Sequence, residues 1–258
     1  MRTAIIYSGN ARTVCHLWEN HRWYLRHLGT PDVFCSVAAD AQANDMNALR
    51  RAWPQSRFEM ETVIQPEIEE PKEETMFRSG YPRSSSKQGV LKQLWSLERA
   101  WNFLCERSSP DNYDVIVRCR PDIAFVRLNL RHLATQASPD LCLVSWVERW
   151  AGINDRFAVL GPRAAAAYFT TFSQWQKIWD MGGPLHPEQL VMESLHMAGI
   201  TPDDSLQAEF MTVRLPSAEH PKGGYLAINP SIIDLADYAR GRFIPRVPPW
   251  NTLGNVLP

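Results

Sequence analysis

The first part of the chain alternates short apolar runs with stretches of helical character. Apolar runs rich in β-branched and aromatic residues occur at positions 3–7, 32–37 and 58–64. Each is next to sequence that favours a helix, and the first ends in Ser8-Gly9-Asn10, which is typical of a turn. This alternation predicts an α/β protein with a mainly parallel sheet flanked by helices.

The clearest helix is predicted at residues 85–105, where apolar side chains recur at helical spacing. Ser85 and Gln88 fit a capping box at its start. A strand-like run then covers residues 113–125, but a polar cluster, RCRPD, interrupts it. In an α/β protein, charge at the end of a buried strand favours a ligand site, because ligands bind at the carboxyl ends of the strands.

The remaining pattern predicts shorter elements. Strands are expected at residues 141–146 and 157–160, and helices at residues 164–172 and 187–197. Pro187 suits the first position of the last helix, and Gly199 suits its end.

A polar, proline-punctuated stretch at residues 65–87 predicts a long loop, either an active-site lid or a solvated connection. Beyond residue 202 the pattern weakens into a proline-rich tail. We therefore expect a domain at residues 1–200 and a C-terminal extension at residues 201–258 that packs on the same domain.

Composition narrows the possible functions. The chain has 258 residues and a net charge of -1, so no general basic field is available for nucleic acid or an anionic membrane. No stretch resembles a signal peptide or reaches the roughly 18 apolar residues of a membrane span, so a soluble cytoplasmic protein is expected. The five cysteines lack metal-ligand spacing, and most are expected to be buried thiols.

Two groups of residues could bind an anion. Ser8, Gly9, Arg12 and Thr13 follow the first strand, where backbone amides at a helix start could meet a nucleotide; a plain turn with a surface arginine is the alternative. The second group is Arg118, Arg120 and Asp122, which would share one face of an extended segment. Its arginines suit phosphate, although an internal salt-bridge cluster would also explain them.

Further polar residues could act on a sugar. Asn154 and Asp155 follow a strand and suit sugar hydroxyls, although a turn cap explains them equally well. Gln93 flanks the apolar stripe of the long helix and could reach a site. Glu188 occupies the first turn of a helix, where the dipole keeps a carboxylate ionised as a general base requires; an ordinary helix start has the same preference. The neighbouring His186 is expected to be a surface histidine.

Six segments occur in an order that resembles a family of GT-A-type glycosyltransferases and related proteins associated with surface polysaccharide synthesis in bacteria and large viruses. The segments, within residues 3–200, are AIIYSGNART, DVFCSV, KQLWSLERAW, YDVIVRCRPDIAF, GINDRFAVLGP and HPEQLV. The resemblance implies a Rossmann-like GT-A domain that moves a sugar from a nucleotide-diphosphate donor to a glycan or lipid-linked acceptor. The alternative is a non-catalytic nucleotide-sugar or glycan-binding module of the same fold.

The resemblance also implies roles for individual residues. Ser8, Gly9, Arg12 and Thr13 would lie at the nucleotide, Arg120 at the diphosphate, Asp122 at the donor sugar, Asn154 and Asp155 at the acceptor, and Glu188 would be the base. Gln93, which could reach the site from the long helix, is also expected at the donor sugar. Asp122 falls in the DxD motif that binds Mn²⁺ or Mg²⁺ in GT-A enzymes, which makes it the implied metal ligand. This chain departs from that motif, because Arg120 stands in place of the first aspartate.

Overall fold

The computed structural model describes residues 1–11, 13–39, 43–71, 86–130, 133–146 and 152–213. These residues form a seven-stranded sheet with helices on its faces, together with a separate two-stranded sheet. The predicted α/β architecture, a mainly parallel sheet flanked by helices, is confirmed. In chain order the helices and strands are β1 (Thr3–Gly9), α1 (Val14–Leu25), β2 (Asp32–Ala38), α2 (Ala43–Ala52), β3 (Phe58–Val63), α3 (Lys87–Arg107), β4 (Val115–Cys119), β5 (Ile123–Leu128), α4 (Leu133–Gln136), β6 (Cys142–Ser145), β7 (Phe157–Leu160), α5 (Pro162–Phe169), α6 (Thr171–Asp180), α7 (Pro187–Met197), β8 (Asp203–Leu206) and β9 (Ala208–Thr212).

The strand order of the large sheet is β3-β2-β1-β4-β7-β6-β8. Strands β3, β2, β1 and β4 are parallel to one another, whereas β7 runs antiparallel between β4 and β6. The chain proceeds outward from β1 to β3 and then returns to the other side of β1 as β4. The order of the strands therefore reverses between β1 and β4, and in open α/β sheets ligands bind outside the carboxyl ends of the strands at such a point.

Successive side chains of the central strands pack alternately into two hydrophobic cores, one on each face of the sheet. Ile6 and Ile116 point to the face covered by α3, α5, α6 and α7. Ile5 and Val117 point to the opposite face, which is covered by α1, α2 and the small sheet. Because both faces are covered, these strands are apolar throughout until they approach their carboxyl ends.

Helix α3 begins one residue later than the capping box predicts. Ser86 is the N-cap, and its hydroxyl accepts a hydrogen bond from the Gly89 amide at 2.9 Å. Ser85 lies outside the described residues, and the Gln88 side chain binds the backbone of Ile68 instead of the helix start. The predicted box is therefore wrong, because Ser86 instead caps the helix by accepting from the amide of Gly89 in its first turn.

The sequence pattern suggested one strand-like run interrupted by the polar cluster. In the structure the residues before and after the cluster belong to different sheets. β4 ends at Cys119, the chain turns at Pro121 and Asp122, and β5 leaves the large sheet to pair antiparallel with β9. The apolar run after the cluster reflects burial in a second sheet. The predicted helix at residues 164–172 is likewise two helices, α5 and α6.

The C-terminal part of the described chain adds β8 to the edge of the large sheet, beside β6, and β9 to the small sheet. Residues 214–258 lie outside the described residues, as do residues 72–85 of the predicted lid, and the domain boundary at residue 200 stays a prediction. Cys35, Cys119 and Cys142 are buried thiols, as expected, whereas Cys105 is exposed. Among the described helices, none is both long and apolar enough to span a bilayer.

Candidate active site

The carboxyl ends of β1 and β4 place the first polar groups of the site. Ser8 follows Ile6 on the α3 face of β1, and its hydroxyl oxygen is buried without a hydrogen-bond partner among the described residues. Gly9 ends the strand with a φ of 101°, a conformation that side chains rarely adopt, and there is open space where a Cβ would point. These residues lie where nucleotide contact is predicted, at the reversal of strand order.

The start of α1 contributes less than the sequence suggested. Thr13 is buried, and its hydroxyl donates to the carbonyl oxygen of Val213 at 3.3 Å. Its side chain therefore ties α1 to the end of the small sheet. Arg12, the other predicted nucleotide contact in this turn, lies outside the described residues.

Arg120 and Asp122 form a bidentate ion pair. Arg120 Nε donates to Asp122 Oδ1 at 2.8 Å, and Nη2 donates to Oδ2 at 2.7 Å. The turn at Pro121 folds the two side chains onto each other, and the Asp122 carbonyl oxygen accepts a hydrogen bond from the Val213 amide at 2.8 Å. The internal salt-bridge alternative raised from the sequence is therefore realised for this pair.

Arg118 is a second guanidinium group in the same region, and it is only 2% exposed. Its Nη1 atom donates to the carbonyl oxygens of Cys119 at 2.9 Å and Ser8 at 3.4 Å, while Nε has no partner among the described residues. Within the same residues no carboxylate lies in ion-pair contact with it. Burial lowers its pKa, and the nearby charge of Asp155 opposes that effect.

Asp155 faces this arginine cluster from the loop between β6 and β7. It is 4% exposed and accepts a hydrogen bond from Gln93 Nε2 of α3, so the predicted donor-site and acceptor-site residues are brought together. Burial, and then the charge of Glu188, raise the pKa of Asp155 to about 6. A carboxyl group with this pKa exchanges protons near neutral pH, as a general acid or base must.

The Asn154 side chain stabilises the turn before β7. Its Oδ1 atom accepts hydrogen bonds from the amides of Arg156 at 2.9 Å and Phe157 at 3.2 Å. The side chain thereby shapes the turn that leads into β7, which is the turn-cap alternative. Of the two predicted acceptor residues, Asp155 is the one whose carboxyl group interacts with the charges of Arg120 and Arg118.

Glu188 lies in the first turn of α7 and is 4% exposed. Its Oε2 atom lies 2.8 Å from Nδ1 of His186, which is largely buried; the expectation of a surface histidine was wrong, because the loop before α7 packs inward. Gly152 brings the loop after β6 against the same helix start: a Cβ there would lie 2.3 Å from the Glu188 carbonyl carbon. The Ile153 amide donates to the Glu188 carbonyl oxygen at 3.2 Å.

The charges of the site act on one another. Although burial lowers the pKa of Arg120, the carboxylates of Asp122, Asp155 and Glu188 raise it above its usual value. The guanidinium group is therefore fully ionised, and it lies within the electrostatic reach of all three acids. Two basic groups and three acidic groups therefore interact outside the carboxyl end of β4. They come from β4, the turn that follows it, the loop before β7 and the start of α7.

Asp122 does not fit the role of metal ligand in this arrangement. Both of its carboxylate oxygens are bound to Arg120, and the adjacent positive charge opposes a cation. Within the described part of the chain, no group of three or more histidine, cysteine or acidic side chains could hold a metal ion. Mn²⁺ and Mg²⁺ need free oxygen ligands, which Asp122 does not offer here.

Two surface cavities, of about 240 and 140 Å³, lie elsewhere. Both include Asn129 and Leu130, beyond the end of β5 that is remote from Asp122. Neither cavity is lined by the arginines and acidic residues described above. The candidate active site is therefore the group of charged residues outside the carboxyl end of β4.

No protein-family model matches this chain, and no curated protein matches it. Solved structures with a similar fold include core-mannan synthase A from Aspergillus fumigatus in its Mn/GDP form (9% identity, 76% of this chain and 69% of that chain, TM-score 0.48). Mouse xyloside xylosyltransferase 1 is also similar, with 12% identity, coverage of 78% of this chain and 84% of that chain, and a TM-score of 0.41. The glycosyltransferase GlyE from Streptococcus pneumoniae is similar with 10% identity, coverage of 76% of this chain and 43% of that chain, and a TM-score of 0.39. These structural neighbours are glycosyltransferases, but at these scores the likeness does not extend to chemistry.

Proposed function

We propose that this protein is a glycosyltransferase that moves a sugar from a nucleotide-diphosphate donor to a glycan or lipid-linked acceptor. The observation that carries the proposal is the joint placement of Glu188, Asp155 and Arg120 outside the carboxyl end of β4, at the reversal of strand order. Sugar transfer requires a base for the acceptor hydroxyl and positive charge for the departing diphosphate, and this cluster offers both. The predicted cytoplasmic location and polysaccharide pathway stay predictions.

In the proposed reaction the acceptor oxygen forms a bond to the anomeric carbon of the donor sugar. The bond between that carbon and the diphosphate oxygen breaks, and its electron pair leaves with the diphosphate. Glu188 takes the proton of the acceptor hydroxyl, while Asp155 hydrogen-bonds the acceptor and Arg120 neutralises the leaving group. Gln93 and Asp122 lie on the donor-sugar side.

The nucleotide would bind over the end of β1. Ser8 and Gly9 support this role because the Ser8 hydroxyl has no hydrogen-bond partner among the described residues and the Gly9 backbone has open space beside it. Thr13 would act through the position of α1, since its hydroxyl is already used by Val213. Arg12 is proposed as a nucleotide contact from the sequence alone.

Glu188→Gln tests the role of the base. Nucleotide binding should remain, whereas release of the nucleotide diphosphate from the donor in the presence of acceptor should fall by about 10²- to 10⁴-fold, the usual contribution of a general base. Binding is measured by thermal shift with UDP, GDP, CDP, ADP, dTDP and their common sugars. Loss of nucleotide binding together with turnover would instead make Glu188 a structural helix start.

Glu193→Gln is the matched control. Glu193 lies on the same helix and contacts His196 at 3.8 Å, as Glu188 contacts His186, but it is exposed to solvent. This variant should keep the activity of the wild type. An equal loss of turnover in both variants would contradict a specific role for Glu188.

The second candidate function is a non-catalytic nucleotide-sugar or glycan-binding module. It is favoured by the Arg120–Asp122 ion pair, which occupies the carboxylate that the resemblance assigns to a metal. Donor hydrolysis that is abolished by Asp122→Asn would favour the enzyme. Tight nucleotide-sugar binding without any turnover, across many acceptors, would favour the module.

A further inference from the structure

The geometry of Arg120 leaves part of its guanidinium group available to a ligand. An arginine side chain carries five N–H donors, and Asp122 engages two of them, so three remain. None of these three has a hydrogen-bond partner among the described residues. The Arg120 side chain is 17% exposed and that of Asp122 is 7% exposed, so the arginine is the partner that faces outward.

The carboxylate of Asp122 fixes the plane of this guanidinium group. A bidentate contact holds an arginine in one orientation, which preorganises its free donors for a planar or tetrahedral anion. The same contact removes Asp122 from the ligands that a divalent cation could use. One interaction thus supplies an oriented anion-binding group and blocks the implied metal position.

Arg118 adds a second positive charge to the site, more deeply buried than that of Arg120. It is two residues earlier in the chain, it is buried, and no described carboxylate lies in ion-pair contact with it. Burying a cation without such a contact is costly, and an anionic ligand nearby would offset that cost. Arg118 Nε and Ser8 Oγ, which have no hydrogen-bond partner in the described part of the chain, lie on the same face of the sheet, where Arg118 Nη1 contacts the Ser8 carbonyl oxygen.

We propose that the site recognises the diphosphate of its nucleotide donor through the free donors of Arg120, supported by the charge of Arg118, and that it does so without a divalent metal ion. When the bond between the sugar and the diphosphate breaks, the electron pair on the leaving oxygen is stabilised by guanidinium hydrogen bonds. This inference rests on the proposed glycosyltransferase function. The inference adds which protein groups stabilise the diphosphate as it leaves.

Titration calorimetry of the wild-type protein is the first test. The nucleoside diphosphate that stabilises the protein in the thermal-shift screen is titrated once in excess EDTA and once in excess Mn²⁺ or Mg²⁺. We expect dissociation constants that agree within about threefold. Binding that needs the metal, or tightens more than about tenfold with it, would overturn the inference while leaving the proposed function standing.

The same experiment separates the two proposals. If no nucleoside diphosphate stabilises the protein in the screen, with or without metal, the proposed function is refuted, and the metal-free site with it. Metal-dependent binding removes only the inference. Metal-independent binding supports both, because it shows a nucleotide held by the groups that the chain itself provides.

Variants of Arg120 test which group replaces the metal. Arg120→Met keeps much of the aliphatic stem but removes every donor, and it should weaken nucleotide binding in EDTA by about ten- to a hundredfold, as expected for loss of charge-assisted contacts. Arg163→Met, which breaks an exposed arginine–carboxylate pair with Asp140, is the control and should bind as the wild type does. Unchanged binding by a folded Arg120→Met variant would overturn the role of Arg120.

Arg120→Asp restores the two carboxylates of a DxD motif. We expect this variant, if circular dichroism shows it folded, to bind nucleotide only when Mn²⁺ is present. Binding in EDTA with the affinity of the wild type would contradict the inference, because the nucleotide would then be held by groups other than the Arg120 guanidinium. The comparison of wild type with Arg120→Met remains decisive if Arg120→Asp does not fold.

Discussion

Asp155→Asn should make the protein more stable at neutral pH and leave its stability unchanged in acid. Burial, and then the charge of Glu188, raise the pKa of Asp155 from 3.8 to about 6. Asparagine has nearly the same shape and retains an oxygen that can accept the hydrogen bond of Gln93. The substitution therefore removes a buried charge with little change in packing.

The sign and size follow from proton linkage. Since the pKa of Asp155 is higher in the folded state than in the unfolded state, its stabilising contribution is fully present below pH of about 4 and is lost as the pH rises through about 6. A difference of 6 minus 3.8, at 1.36 kcal/mol for each pKa unit, corresponds to about 3 kcal/mol. At pH of about 8 the variant should be more stable than the wild type by that order of magnitude.

Urea denaturation at several pH values between about 4 and 8 measures the difference in free energy of unfolding. Asp180→Asn is the control, because Asp180 accepts a similar amide hydrogen bond from Gln176 at 2.9 Å on the exposed surface of α6. Its effect should stay within about 0.5 kcal/mol at every pH. The reasoning is refuted if Asp155→Asn is less stable at pH of about 8, since the charges of Arg118 and Arg120 would then outweigh burial.

Two further predictions concern packing and capping. Gly152→Ala should destabilise the protein by about 1–3 kcal/mol, because its Cβ would overlap the Glu188 carbonyl group, and differential scanning calorimetry should show a lower Tm. Gly89→Ala, where the new Cβ would meet only the Ser86 hydroxyl, at 3.1 Å, is its control. Ser86→Ala should cost about 1 kcal/mol in urea denaturation through loss of the α3 cap, and an unchanged midpoint would argue against that cap.

The elements that the sequence predicted best are those with local signals at both ends. β7 and α7 have the predicted bounds, since Gly161 and Pro162 follow the strand, Pro187 starts the helix, and Gly199 follows it with a φ of 70°. The stripe of apolar residues in α3 was equally informative. In each case the information lies within a few residues of the element itself.

The features that could not be predicted depend on distant partners. β5 has the apolar character of a central strand, and only its pairing with β9, about 85 residues later, shows that it belongs to a second sheet. The Gln93–Asp155 contact joins residues 62 positions apart. The spacing of Arg120 and Asp122 suggested one face of a strand, whereas the turn at Pro121 makes them partners. The inward position of His186 had no local signal.

The contacts made by Val213 have a consequence for how the protein is built. The Val213 amide donates to the Asp122 carbonyl oxygen, and the Val213 carbonyl oxygen accepts a hydrogen bond from the Thr13 hydroxyl, so this residue links two segments that were synthesised long before it. A nascent chain that has emerged only as far as residue 200 contains every proposed catalytic group, yet it lacks β9 and this link. Six of the seven strands of the large sheet can pair while the chain is still being translated, because only β8 lies beyond residue 200. The turn that orients Arg120 is secured only when Val213, the residue after β9, has been synthesised. The proposed active site is therefore completed only after the chain has been synthesised past residue 213.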